Sequence, residues 1–197
     1  MTENEWTELI NKKLAAFLEK NKLCAKTFQK IPYSFEIDEY TEDEHCKEWV
    51  PDIDSESIMP FETDLVIYEE NDGKIKPRVV IEAKLGKVTT HDAITYSYKA
   101  EKHKAITPYL RYGIMIGDRK HYPLPGRLFR HGTNFDFMFS FTGTEPDRKE
   151  WKAFAEMLEK EVEYSRLMEE MLRESRSKDR KHYYMLQKQL VLKESGE

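Results

Sequence analysis

The stretch FETDLVIYEENDGKIKPRVVIEAK, Phe61 to Lys84, decides how the chain folds. Two apolar runs, Leu65 to Tyr68 and Val79 to Ile81, are rich in β-branched residues. They flank the turn Asn71-Asp72-Gly73-Lys74, so the stretch reads as strand, turn, strand. Asp64 stands just before the first run, and Glu82 and Lys84 just after the second. Side chains alternate along a strand, so Glu82 and Lys84 share a face. A hairpin closed by that turn brings Asp64 to the same open end. Two carboxylates and an ammonium group then converge.

Convergent carboxylates repel each other unless something neutralises them. A hard divalent cation does so, and Mg2+ takes oxygen ligands from one or two carboxylates plus substrate phosphates. A nearby lysine orients or deprotonates a water and stabilises charge developing on a phosphate. Taken singly, each of the three reads as a solvated strand-end charge. Taken together at the mouth of a buried hairpin, they read as a catalytic set.

The pattern D…E-x-K after a strand–turn–strand resembles the PD-(D/E)XK nuclease superfamily, over roughly Glu3 to Gly117. Thr63 stands where the family often has proline. The resemblance implies an α/β fold with an αβββαβ restriction-endonuclease-like core: a mixed central sheet flanked by helices. It implies catalysis by Asp64, Glu82 and Lys84, with Mg2+ (Mn2+ substituting) held by Asp64, Glu82 and the Ala83 carbonyl. Some members take a further acid from the first helix, which makes Glu8 a candidate. Glu62, two residues before Asp64 on the same strand face, is a reserve ligand. The solvated reading competes for both.

Charge is unevenly distributed. The net charge is −5, which argues against a nucleic-acid partner, but residues 1–70 hold 18 acids and 7 bases. Residues 84–131 hold 10 bases (among them Lys87, Lys102, Arg119 and Lys120) and 3 acids, with four of the 6 histidines. A basic tract directly after an acidic pocket suits phosphates held by cations and metal held by acids. It also suits an ordinary solvated face. Cys24 and Cys46 are the only cysteines, which suggests reduced thiols and a cytoplasmic location. Met-Thr-Glu-Asn does not read as a signal peptide, and no apolar run reaches the roughly 20 residues of a membrane helix. No zinc spacing, Gly-rich phosphate loop, G-x-S-x-G elbow or H-E-x-x-H is present.

The remaining elements follow in order. Residues 3–20 have helical periodicity, with Thr2 and Glu5 as a capping box. Tyr33 to Ile37 reads as a first strand, and the acidic stretch Glu36 to Glu56 as a loop or flap. A helix over Thr90 to Ile106 puts Asp92, Tyr96, Lys99 and His103 on one face. In the superfamily the helix after E-x-K carries polar residues toward the site or the DNA backbone. Tyr96, Lys99 and Lys102 are the candidates here, against a tyrosine packed on the sheet beside exposed lysines. Arg111 to Gly117 reads as a buried strand parallel to its neighbour. Residues 118–134 read as a loop in which Arg119, Lys120, Arg127 and Arg130 grip phosphates and His121 or His131 contacts bases. Tyr122 and Phe129 stack on a base or pack inward. Phe135 to Phe141 reads as a short strand.

Residues 1–145 thus form the nuclease-like core and 146–197 a long C-terminal helical extension. Its apolar patch Tyr183 to Leu192, beyond a polar hinge, makes a partner contact (a homodimer or another subunit) or folds back as a helical hairpin. The leading expectation is a Mg2+-dependent DNA endonuclease, most like a small type II restriction enzyme or the nuclease subunit of a restriction or repair system. The alternative is a non-catalytic nucleic-acid-binding or interaction module on the same fold. A third is an α/β protein with unrelated ligand chemistry.

Overall fold

A computed structural model describes residues 1–43, 45, 47–52, 56–120 and 124–178, together with 185, 186, 190 and 191. The turn at Asp72 and Gly73 closes the hairpin as expected. Both residues have positive φ, 51° and 74°, the backbone that a two-residue hairpin turn needs. It joins β4 (Glu56–Asn71) to β5 (Lys74–Leu85) in antiparallel register, with Leu65 opposite Ile81 and Ile67 opposite Val79.

Around this pair lies one five-stranded mixed sheet in the order β1 (Cys24–Ile37), β4, β5, β6 (Arg111–Gly117), β7 (Phe137–Ser140). The edge strand β1 pairs antiparallel with β4. On the other side, β6 runs parallel to β5, and β7 runs parallel to β6. The helix α3 (Thr90–Ile106) makes the β5-to-β6 crossover, capped by Thr89 and Asp92.

Strand alternation sorts the core into two layers. Leu65, Ile67, Val79, Ile81 and Ala83 pack under α1 (Glu3–Lys13) and α5 (Arg148–Glu174), against Trp6, Ile10, Phe154, Leu158 and Val162. Val66, Val80, Tyr112, Ile114 and Ile116 pack under α3, against Ala93 and Ala100. Every residue of β6 is buried, as a strand covered on both faces requires. Helices therefore flank a mixed α/β sheet, with α5 closing the same core as α1.

Several expected boundaries move. The first helix ends at Lys13 and resumes as α2 (Ala15–Asn21). The first strand begins at Cys24, not Tyr33. The acidic segment is not wholly irregular: it carries the antiparallel pair β2 (Tyr40–Glu42) and β3 (Trp49–Pro51). The segment read as loop at 118–134 carries α4 (Gly126–His131). The last helix stops at Glu174. Cys46, His121, Tyr122 and most of Tyr183 to Leu192 lie outside the described residues; Cys24 is a free thiol. Among the described residues no helix is long and apolar enough to cross a membrane.

Gly113 on β6 faces the Phe137 ring, and a Cβ built there would lie 2.4 Å from it. Phe137 is buried, so the ring has little room to withdraw. Gly113→Ala should cost about 1–3 kcal/mol of stability by overpacking, read as a lower midpoint in urea unfolding. An unchanged midpoint would contradict the close packing of β6 on β7.

Candidate active site

One residue beyond the Leu65–Ile81 pair stand Asp64 and Glu82, on neighbouring strands and on the α3 side of the sheet. Asp64 turns its carboxylate onto the β5 backbone, where Oδ2 accepts the Ala83 N–H at 2.7 Å. Glu82 is fully buried. Its Oε1 accepts the Tyr112 hydroxyl at 2.5 Å and faces the Lys99 ammonium at 3.3 Å. Its Oε2 is buried without a hydrogen-bond partner among the described residues. Burial first, then the negative charge of Asp64, push the Glu82 carboxyl up to about 7, against the pull of Lys99 and Tyr112.

Lys84 lies two residues further along the same face. Its ammonium pairs with Glu3 at 3.0 Å and Asp92 at 3.7 Å and sits 5.5 Å from the centre of the Tyr96 ring. Burial works against its charge, but Tyr96 and Glu3 outweigh burial and hold it above the ordinary lysine range. Burial likewise pushes the Tyr96 hydroxyl up to about 12, opposed by Lys84. Lys84 is therefore an ammonium throughout the neutral range.

Glu3 reaches this place because α1 crosses close over the carboxyl ends of β5 and β6. Gly117 permits that approach: a Cβ there would meet the Trp6 ring and Leu85, each at 2.7 Å. The Trp6 indole donates to the Thr144 carbonyl at 2.8 Å, and the second Glu3 oxygen accepts the Leu85 N–H at 3.2 Å. The acid that α1 brings to Lys84 is thus Glu3. Glu8, the candidate from this helix, instead accepts the Thr27 hydroxyl at 2.6 Å on the edge strand. Glu62 has an exposed side chain and offers its backbone carbonyl to Lys99 at 2.8 Å. Thr63 is buried and donates to the Gln29 carbonyl at 2.9 Å, a β1–β4 tie.

The polar face of α3 lies over the carboxylates. Asp92 meets Lys84, Tyr96 lies beside both lysines, Lys99 meets Glu82, and His103 is buried against the Tyr112 ring. Lys102 turns away, its ammonium 5.1 Å from the Tyr98 ring centre. Arg119 donates to the Gly86 carbonyl at 2.8 Å and so ties the segment after β6 to the one after β5. Lys87, Lys120 and Arg130 are exposed and Arg127 half-buried; no ion pair links them to Asp64 or Glu82. Of the expected stacking residues, Phe129 is 54% exposed, so it is not packed inward. Glu3 and Tyr112 carry no local motif. The one sequence signal for Tyr112 is alternation, since it shares a strand face with Ile114, which pairs with Glu82.

The fit of a divalent cation rests on this donor set. Three carboxylates, Glu3, Asp92 and Glu82, pair with two ammonium groups, Lys84 and Lys99, and a fourth, Asp64, accepts the Ala83 N–H. Negative charge is in excess, and one buried carboxylate oxygen, Glu82 Oε2, is unpartnered among the described residues. Among the described residues no group of three or more His, Cys, Asp and Glu side chains forms a metal cage. Mg2+ does not need one; one or two carboxylates plus substrate phosphates suffice. Asp64 and Glu82 meet that requirement. No protein-family model matches the chain, and no curated protein matches it.

A carboxyl raised by folding holds its proton more tightly in the fold than in the unfolded chain. The contribution of Glu82 to stability therefore falls as pH climbs from the ordinary 4.5 to about 7, and stays low above that. Glu82→Gln removes this dependence. In EDTA, the stability of that variant relative to wild type should rise with pH across this window by on the order of 3 kcal/mol. Denaturant titrations at several pH values measure it; a constant difference would contradict the buried, Asp64-opposed carboxyl.

Proposed function

We propose that this chain is a Mg2+-dependent DNA endonuclease on a restriction-endonuclease-like core, resembling the PD-(D/E)XK nucleases and acting as a small restriction enzyme or a nuclease subunit. The observation that carries the reading is the buried Glu82, with one unpartnered oxygen, beside Asp64 on adjacent central strands. The order of elements supports it too: a helical start, three antiparallel strands apart from an inserted hairpin, a helix and a parallel strand. The site also lies at the carboxyl end of β5 and β6, where open α/β sheets bind ligands.

Asp64, Glu82 Oε2 and the Ala83 carbonyl hold Mg2+ in this reading. The bound ion supplies charge neutralisation at the scissile phosphate and a more acidic water. Lys84, held as an ammonium by Tyr96 and Glu3, acts as a hydrogen-bond donor and positive charge for the attacking water and the phosphate. It does not act as the general base. Lys99 offsets the charge of Glu82 in the resting site. The exposed Lys87, Lys120 and Arg130 contact the DNA backbone together with Tyr96 and Arg127, while Lys102 turns to Tyr98 and Arg119 ties the segment after β6 to Gly86. Water oxygen bonds to phosphorus, the bond to the 3′ oxygen breaks, and that oxygen leaves with a proton, giving a 5′-phosphate.

One observation favours a second reading, a non-catalytic nucleic-acid-binding module. Lys84 and Lys99 are both already paired with acids, as in a purely structural ion network. Plasmid cleavage by purified protein separates the two. Mg2+-dependent, EDTA-sensitive products ending in 5′-phosphate are expected, reduced about 10²–10³-fold in Asp64→Ala and Lys84→Ala. Salt-sensitive duplex binding with no cleavage by the wild type would establish the module instead.

A further inference from the structure

Tyr112 is held from three directions. Its backbone N–H donates to Asp136 Oδ2 at 2.8 Å, and its carbonyl accepts the Asp136 N–H at 2.7 Å. Its ring stacks on His103 at 5.6 Å between centres and 24° between planes. His103 is anchored in turn, Nε2 lying 3.1 Å from the Ile31 carbonyl oxygen. The ring and hydroxyl are fully buried, and the hydroxyl is donated to Glu82 Oε1. A rigid donor thus meets a carboxyl whose terminal torsion is otherwise soft. With Oε1 engaged by Tyr112 and Lys99, Oε2 is the oxygen of Glu82 left over.

We infer that Tyr112 is the positioning residue of the site: its hydroxyl pins Oε1 of Glu82 so that Oε2 is the oxygen presented to a divalent cation. This rests on the metal-binding reading above. Tyr112 itself touches neither cation nor DNA. It acts through Glu82, in the way outer partners orient metal ligands and set their affinity. A tyrosine that only filled the core would serve as well without its hydroxyl.

Mn2+ affinity, read from the electron paramagnetic resonance of the free ion, tests this in wild type, Tyr112→Phe and Asp64→Ala. The expected result is a wild-type site that Asp64→Ala abolishes and Tyr112→Phe weakens about tenfold, with duplex binding in EDTA unchanged by Tyr112→Phe. Equal Mn2+ affinity in wild type and Tyr112→Phe, with the site still lost in Asp64→Ala, would overturn the positioning role and leave the metal reading standing. A wild type that binds no Mn2+ would overturn both. If Tyr112→Phe does not fold, tyrosine labelled at Cζ with 13C answers the question in the unmutated chain. The Tyr112 resonance is expected to shift as Mg2+ is added; a stationary resonance with Mg2+ bound would overturn the role.

Discussion

The pairing of β4 with β5 sets two carboxylates side by side inside the protein, and the rest of the structure accommodates that constraint. Burying one carboxyl beside another is costly, and a protein answers such a cost by protonation, by a counter-charge or by a metal. Glu82 draws on the first two: its proton is held to about 7, and Lys99 and Tyr112 support its Oε1. Its second oxygen has no such support among the described residues.

The opposite end of the sheet shows how this chain treats buried charge that serves structure. Arg78, nearly fully buried, is held by Glu69 and Glu169 at 2.6 and 2.7 Å, and Lys76 and Arg166 bind the same two acids. Hydrogen bonds and ion pairs from those bases outweigh burial and lower both glutamates. Around Arg78 bases outnumber acids, and each carboxylate has a cation. Arg111 is tied to Glu161 and Asp136, and Lys104 to Asp136 as well; there burial raises Glu161 in spite of Arg111. Around Asp64 and Glu82 acids outnumber bases, and one oxygen of the buried Glu82 has no hydrogen-bond partner among the described residues.

Local chemistry made much of this readable from the sequence. Asp72-Gly73 specifies the turn, and the turn specifies which charges share an end. Thr89 and Asp92 mark the start of α3, whose spacing puts Asp92, Tyr96, Lys99 and His103 on one face. What sequence could not supply depends on distant partners. Cys24 to Pro32 carries no strand signal because an edge strand with one face near solvent holds Lys26, Gln29 and Lys30 in place of a clean apolar alternation. The sequence points to Glu8, and the fold uses Glu3, because the acid that reaches the site is set by where α1 crosses Gly117 and Leu85. Tyr112 looked like core because only the parallel register of β6 on β5 brings its hydroxyl to Glu82.

The central claim is that Asp64 and Glu82 together form a cation site. Anomalous X-ray scattering from a crystal soaked in Mn2+ tests it most directly. The account predicts a peak shared by the two carboxylates, with Glu82 coordinating through Oε2 while Oε1 stays with Tyr112. Density that leaves this position empty, with Lys99 still the only cation against Glu82, would contradict it.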